Sequence, residues 1–166
     1  FKGEKHIGET PILTANEIVA HAEKAVEYIS DIKKSNKHSE DFGRLINDIH
    51  IHHALAKHYS YKVKAALTVL KYKYTKDVNI LKSALTDLEK SVLAYKKLVD
   101  LTIDTYLYAN SMQTKQRKIP MRGIDGEFKH WKELLPVFEK ELSNFKASID
   151  SLENSASVAP VEKDKF

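Results

Sequence analysis

The chain has 166 residues with no Cys, 5 Gly and 4 Pro, and it carries 27 basic against 23 acidic side chains. That length suits one compact domain able to bury a real core. Without Cys there is no disulfide framework, no thiolate metal site and no cysteine nucleophile, and no run approaches the roughly 18 uncharged apolar residues of a membrane span.

Phe1–Leu13 reads as a linker without the charged, apolar and small-residue order of a signal peptide. With a start at Phe1 rather than Met, the chain is expected to be an excised or processed piece of something longer. From Thr14 to Met112 Gly and Pro are scarce, and three apolar stripes advance by alternating steps of three and four residues, as in helices packed on partners. The first is Ile18, Ala22, Ala25, Ile29 and Ile32, on a helix expected from about Ala15 to Lys34. Thr14 and Glu17 stand in capping-box spacing at its start.

The second stripe, Phe42, Leu45, Ile49, His52, Ala56, Tyr59, Val63, Ala66 and Leu70, predicts a helix from a cap at Ser39 to about Tyr74. The third, Val78, Leu81, Leu85, Leu88, Val92, Tyr95, Val99, Thr102, Tyr106 and Ala109, predicts another from Asp77 to about Asn110. Each is on the order of 50 Å long at 1.5 Å per residue. Only Thr75 and Lys76 separate them, so they fold back as a hairpin, and the sustained heptad predicts shallow, left-handed crossing.

Residues 111–126 hold Pro120, Gly123 and Gly126 and read as a long loop. The fourth stripe follows: Trp131, Leu135, Phe138, Leu142, Phe145, Ile149 and Leu152. Pro136 predicts a short turn at Phe128–Leu134 and then a helix with the proline in its first turn. The expected architecture is all-α: an antiparallel four-helix bundle over residues 14–153, with a long central hairpin, shorter first and fourth helices, and a linker-like tail over 154–166. Near the hairpin tip Val69, Leu70, Tyr72, Tyr74, Val78 and Ile80 have fewer expected partners. Either another surface docks there or the terminal segments fold over it.

Charge is polarised along the chain. Ile49 to Lys76 contains six Lys and no acid, and the 111–126 loop contains Lys115, Arg117, Lys118 and Arg122 against Asp125 alone. The helix-two lysines flank its apolar stripe, so their stems can cover the core while the heads reach water. Phosphates reward such cations, but no recognition helix, aromatic strand motif or zinc ligand set accompanies them, so nucleic acid is not an expected partner.

His50, His52, His53 and His58 crowd one stretch of helix two, but no carboxylate completes a Glu-x-x-His pattern, and His52 on the stripe reads as a core histidine. Asp48 and His52 sit at the spacing of a helix-surface hydrogen bond. No nucleophile elbow or Gly-rich phosphate loop is present, and a bundle filled by aliphatic and aromatic side chains leaves little room for paired carboxylates around a sugar. No catalytic residue, metal or cofactor is assigned.

The most distinctive stretch is Gln113-Thr114-Lys115-Gln116-Arg117-Lys118-Ile119-Pro120. Gln113, Arg117, Arg122 and Trp131, with Tyr72 and Tyr74 at the tip, are the candidate ligand- or domain-contact residues. The arginines can fork onto a carboxylate, and Trp131 can stack on a sugar face or an Arg plane. The alternative is plainer: Trp131 opens the fourth stripe and belongs to the core, while the arginines tie the loop to helix ends.

Asp48-Ile49-His50-Ile51-His52-His53-Ala54-Leu55-Ala56-Lys57-His58-Tyr59, with Lys62, Ala65 and Ala66, resembles helical segments that follow the catalytic barrel in large secreted carbohydrate-active enzymes of Bacteroides-type bacteria. Ala109-Asn110-Ser111-Met112-Gln113, Arg117-Lys118-Ile119-Pro120 and Trp131-Lys132-Glu133-Leu134-Leu135-Pro136 have the same character. The resemblance covers roughly Phe42 to Phe145 and involves no catalytic signature. It implies an extracytoplasmic, non-catalytic accessory domain of a glycan-degrading protein, with neighbouring domains as partners and a glycan as a further candidate. The competing expectation is a stand-alone module whose basic face binds an acidic partner.

Overall fold

The computed structural model describes residues 8–33, 40–107, 109 and 130–157. They form four helices, α1 (Pro11–Lys33), α2 (Glu40–Thr75), α3 (Val78–Thr102) and α4 (Trp131–Ser157), with no strand among the described residues. The all-α bundle is as expected. The α2–α3 hairpin forms its spine, α1 packs along α2, and α4 packs along α3. At 36 residues, α2 outreaches α1 with 23 and α4 with 27.

The helix ends correct the expectations at several points. α1 starts at Pro11 rather than near Ala15, because Thr10 is its cap: the Thr10 hydroxyl accepts from the Leu13 N–H at 3.3 Å, and Pro11 fills the first helical position. The Ser39 cap expected for α2 lies outside the described residues. The hairpin turn is Lys76–Asp77, not Thr75–Lys76. Lys76 adopts a left-handed φ of 57°, and its N–H closes on the Tyr72 carbonyl at 2.8 Å. Asp77 then caps α3, accepting from the Asn79 N–H at 2.9 Å.

α3 stops at Thr102, short of the expected end near Asn110, itself outside the described residues. Two threonines at this end turn their hydroxyls back onto helix carbonyls: Thr102 to Leu98 at 2.8 Å, and Thr105 to Leu101 at 2.9 Å. The stripe nevertheless continues, because Tyr106 and Ala109 still pack on the core from non-helical backbone. α4 runs unbroken from Trp131, so no separate turn precedes Pro136. The proline occupies the second turn, where its missing N–H forfeits only the bond to the Lys132 carbonyl.

Ile51, Ala54, Tyr95, Leu98, Val99 and Trp131 form the core cluster, with Leu98 wholly enclosed at 0% exposure. The third stripe is buried or half-buried along its whole length. The second is not: Leu45, His52, Tyr59, Ala66 and Leu70 are less enclosed than the stripe predicts, while Ile46, Ile51, Ala54, Ala56, His58, Ser60 and Ala65 are buried. Two neighbours on different sides of α2 explain the difference. Its buried surface is wide rather than a single seam, and small residues mark the places where partners come close.

Candidate functional site

At mid-bundle, α2 and α3 are tied by a buried polar pair. His58, 2% exposed, shares its Nδ1–H between the Ser91 carbonyl at 3.1 Å and the Ser91 hydroxyl oxygen at 2.9 Å. The hydroxyl in turn donates to the His58 carbonyl at 3.1 Å. The core histidine expected at His52 is therefore His58, six residues on, while His52 is exposed. The His58 ring lies 4.8 Å from Tyr95 and 4.9 Å from Phe138 of α4, so three helices meet on one imidazole. Burial holds its pKa below the usual histidine value. The Ser91 carbonyl opposes that shift, the Lys62 charge adds to it, and Glu141 opposes it. A serine is activated when its hydroxyl donates to an imidazole nitrogen; here the Nδ1–H donates to the serine oxygen instead, both groups are closed off from solvent, and the pair acts as an interhelical bolt.

A second polar cluster closes the opposite end from the hairpin turn. The last α3 carbonyls are satisfied from other helices. Asn47 of α2 donates to Leu101 at 3.0 Å, and His130 Nε2–H donates to Thr102 at 3.2 Å. His130 Nδ1 accepts from the Lys132 N–H at 3.1 Å, and its backbone N–H reaches Glu133 Oε1 at 3.3 Å. One histidine therefore caps α4 and latches it to α3. Sequence reasoning passed over His130; the available signal was Glu133 three residues later, in capping-box spacing. Asp48 bonds the Tyr106 hydroxyl across the α2–α3 interface, not His52, and this bond, before burial and the carboxylate charge, raises the Tyr106 phenol to about 12.

The candidate contact residues are dispersed. Gln113, Arg117 and Arg122 lie outside the described residues. Trp131 is buried at the first position of α4, with its ring 5.9 Å from Tyr106 and 5.6 Å from His130. Tyr72 is half-buried under Lys76 and Tyr74 is 69% exposed, both at the hairpin tip and a full α3 length from Trp131. No three His, Asp or Glu side chains converge as metal ligands among the described residues. No helix among them is long and apolar enough to cross a membrane.

Part of the α2 cationic face is taken up within the bundle. Lys57 pairs with Glu23 of α1 at 3.4 Å, and Lys62 pairs with Glu141 of α4 at 2.7 Å while lying 4.6 Å over the Phe138 ring. Between α2 and α3 a groove of about 280 Å³ gathers His50, His53, Lys57, Lys90 and Lys97. Burial first, and then the Lys57 and His50 charges, lower the His53 pKa against the pull of Glu23. A second groove, of about 850 Å³, runs between α2 and α4 with Leu88 of α3 among its lining.

No protein-family model and no curated protein matches the chain. Among solved structures it is similar to one described as a GH138 enzyme targeting pectin rhamnogalacturonan II, with 45% sequence identity over 92% of this chain and a TM-score of 0.79. The chain spans 22% of that protein's length. In sequence and in fold it is thus similar to a helical region of a larger glycoside hydrolase.

Proposed function

We propose that the chain is a non-catalytic helical accessory domain of a larger, extracytoplasmic glycan-degrading protein, packing against its catalytic domain. The observation that carries this reading is the match to a 22% portion of a GH138 chain at 45% identity. The interior agrees with it: Leu98, Val99, Tyr95 and Trp131 fill the core, and the buried Ser–His contact is closed to substrate. Glycan polymers do not cross a bilayer unaided, which supports a parent that works outside the cytoplasm.

The test is to express the longer polypeptide with and without this region. Its removal is expected to lower the melting temperature of the remainder and to weaken turnover or glycan binding, while the isolated chain hydrolyses nothing. Unchanged activity, stability and glycan binding would remove any supporting role, and turnover by the isolated chain would remove the non-catalytic assignment.

A further inference from the structure

The groove between α2 and α4 has the construction of a helix-binding seam. Its α2 wall is Lys62, Ala65, Ala66, Val69, Leu70 and Lys73, spaced i, i+3, i+4, i+7, i+8 and i+11, which is one face of a helix over three turns. The α4 wall, from Val137 through Lys140, Glu141, Asn144 and Phe145 to Ser148, repeats the same spacing. Both helices run antiparallel to α3, hence parallel to each other, and their backbones do not come into packing contact. Two matched stripes thus face each other over Leu88 and no described helix fills the space between them. Twelve residues at 1.5 Å rise make walls about 17 Å long, the length of a three-turn helix.

Charge says what kind of helix fits. Of the four charged residues along the groove, Glu141 is already bound to Lys62, while Lys73 and Lys140 have no acidic partner among the described residues. An apolar floor between two unpaired lysines selects an amphipathic helix with acidic flanks.

We propose that this groove receives a three-turn amphipathic helix, apolar on the buried face and flanked by Asp or Glu, supplied by the neighbouring domain of the parent protein. This rests on the accessory-domain reading and assigns its docking face.

The chain has no cysteine, so single thiols report on it cleanly. Ala66→Cys and Asn144→Cys place exposed thiols on the two walls, while Tyr74→Cys and Leu93→Cys mark the tip and the other groove. Labelling rates with a maleimide dye are compared between the 166-residue chain and the longer polypeptide. The expected result is at least ten-fold slower labelling of both wall thiols in the longer polypeptide, largely relieved by Lys73→Glu with Lys140→Glu. Slowing at Tyr74→Cys or Leu93→Cys, with the wall thiols unchanged, overturns the groove and leaves the accessory role standing. No slowing anywhere overturns the groove, and the deletion of the region from the longer polypeptide then decides the accessory role separately. Wall protection that survives the charge reversals overturns the acidic helix, and protection that grows with concentration of the isolated chain identifies a second copy as occupant and overturns the proposal.

Discussion

His58 makes the bundle's stability depend on pH in a way that one substitution isolates. The imidazole is buried against Tyr95 and Phe138, with its Nδ1–H bonded to Ser91, and burial holds its folded-state pKa below 6.5. The unfolded chain therefore binds the proton first as pH falls. The stabilisation is fully present above the unfolded pKa and is lost as pH drops below 6.5 towards the lowered folded value. One proton sets a ceiling of about 1.4 kcal/mol per pH unit across that window. His58→Phe keeps an aromatic ring between Tyr95 and Phe138 and leaves the Ser91 hydroxyl its bond to the residue-58 carbonyl, but it cannot titrate. Urea unfolding at constant m, from pH 7.5 down to pH 5, gives both stability curves. Their difference cancels the other titrating groups, His53 included, and should shift towards the variant as the pH falls through this window. Parallel curves would refute the assignment of a depressed, buried imidazole to His58.

Three further outcomes are expected. His130→Ala removes both the α4 cap and the latch on Thr102 and should cost about 2–3 kcal/mol in chemical denaturation, whereas His130→Asn, which can still cap, should recover roughly half; full recovery would show that the latch contributes nothing, and equal losses that the cap does not. Tyr106→Phe leaves the half-buried Asp48 carboxylate without its donor and should destabilise by about 1.5–3 kcal/mol, and ultraviolet titration of the parent chain should show one phenol ionising near 12. Because that phenol is raised above its unfolded value of 10.0, the stability it confers is complete below pH 10 and declines above it. Lys76→Gly relieves a side chain held at φ 57° and should raise stability by about 0.5–1 kcal/mol, so a loss measured by thermal unfolding would show that the turn is unstrained.

α3 was readable as a clean heptad from Leu81 to Thr102, whose stripe faces α2 and α4 together, although its end was not. Its start was expected one residue early, at Asp77, which is instead the cap that accepts from the Asn79 N–H. α2 was legible as a helix but not as a surface. Its expected stripe placed Ala56 inward correctly but Tyr59 and His52 as well, whereas contact with α1 on one side and α3 on the other buries Ala54, His58 and Ser60 in place of those two. The α4 cap escaped notice because His130 performs a role usually read from Ser, Thr, Asp or Asn.

Periodicity and capping act over one or two turns, so the amino-acid order alone determined that the chain is helical, that α2 and α3 form a hairpin, and that the middle of α2 is cationic. Where α3 ends, which histidine is buried and which lysines are paired depend on atoms brought together from distant positions: Thr102 with His130, His58 with Ser91, Lys62 with Glu141. The groove is of the same kind. Each wall is an ordinary heptad by itself, and only the separation of α2 from α4 across α3 turns the two into a seat for a further helix.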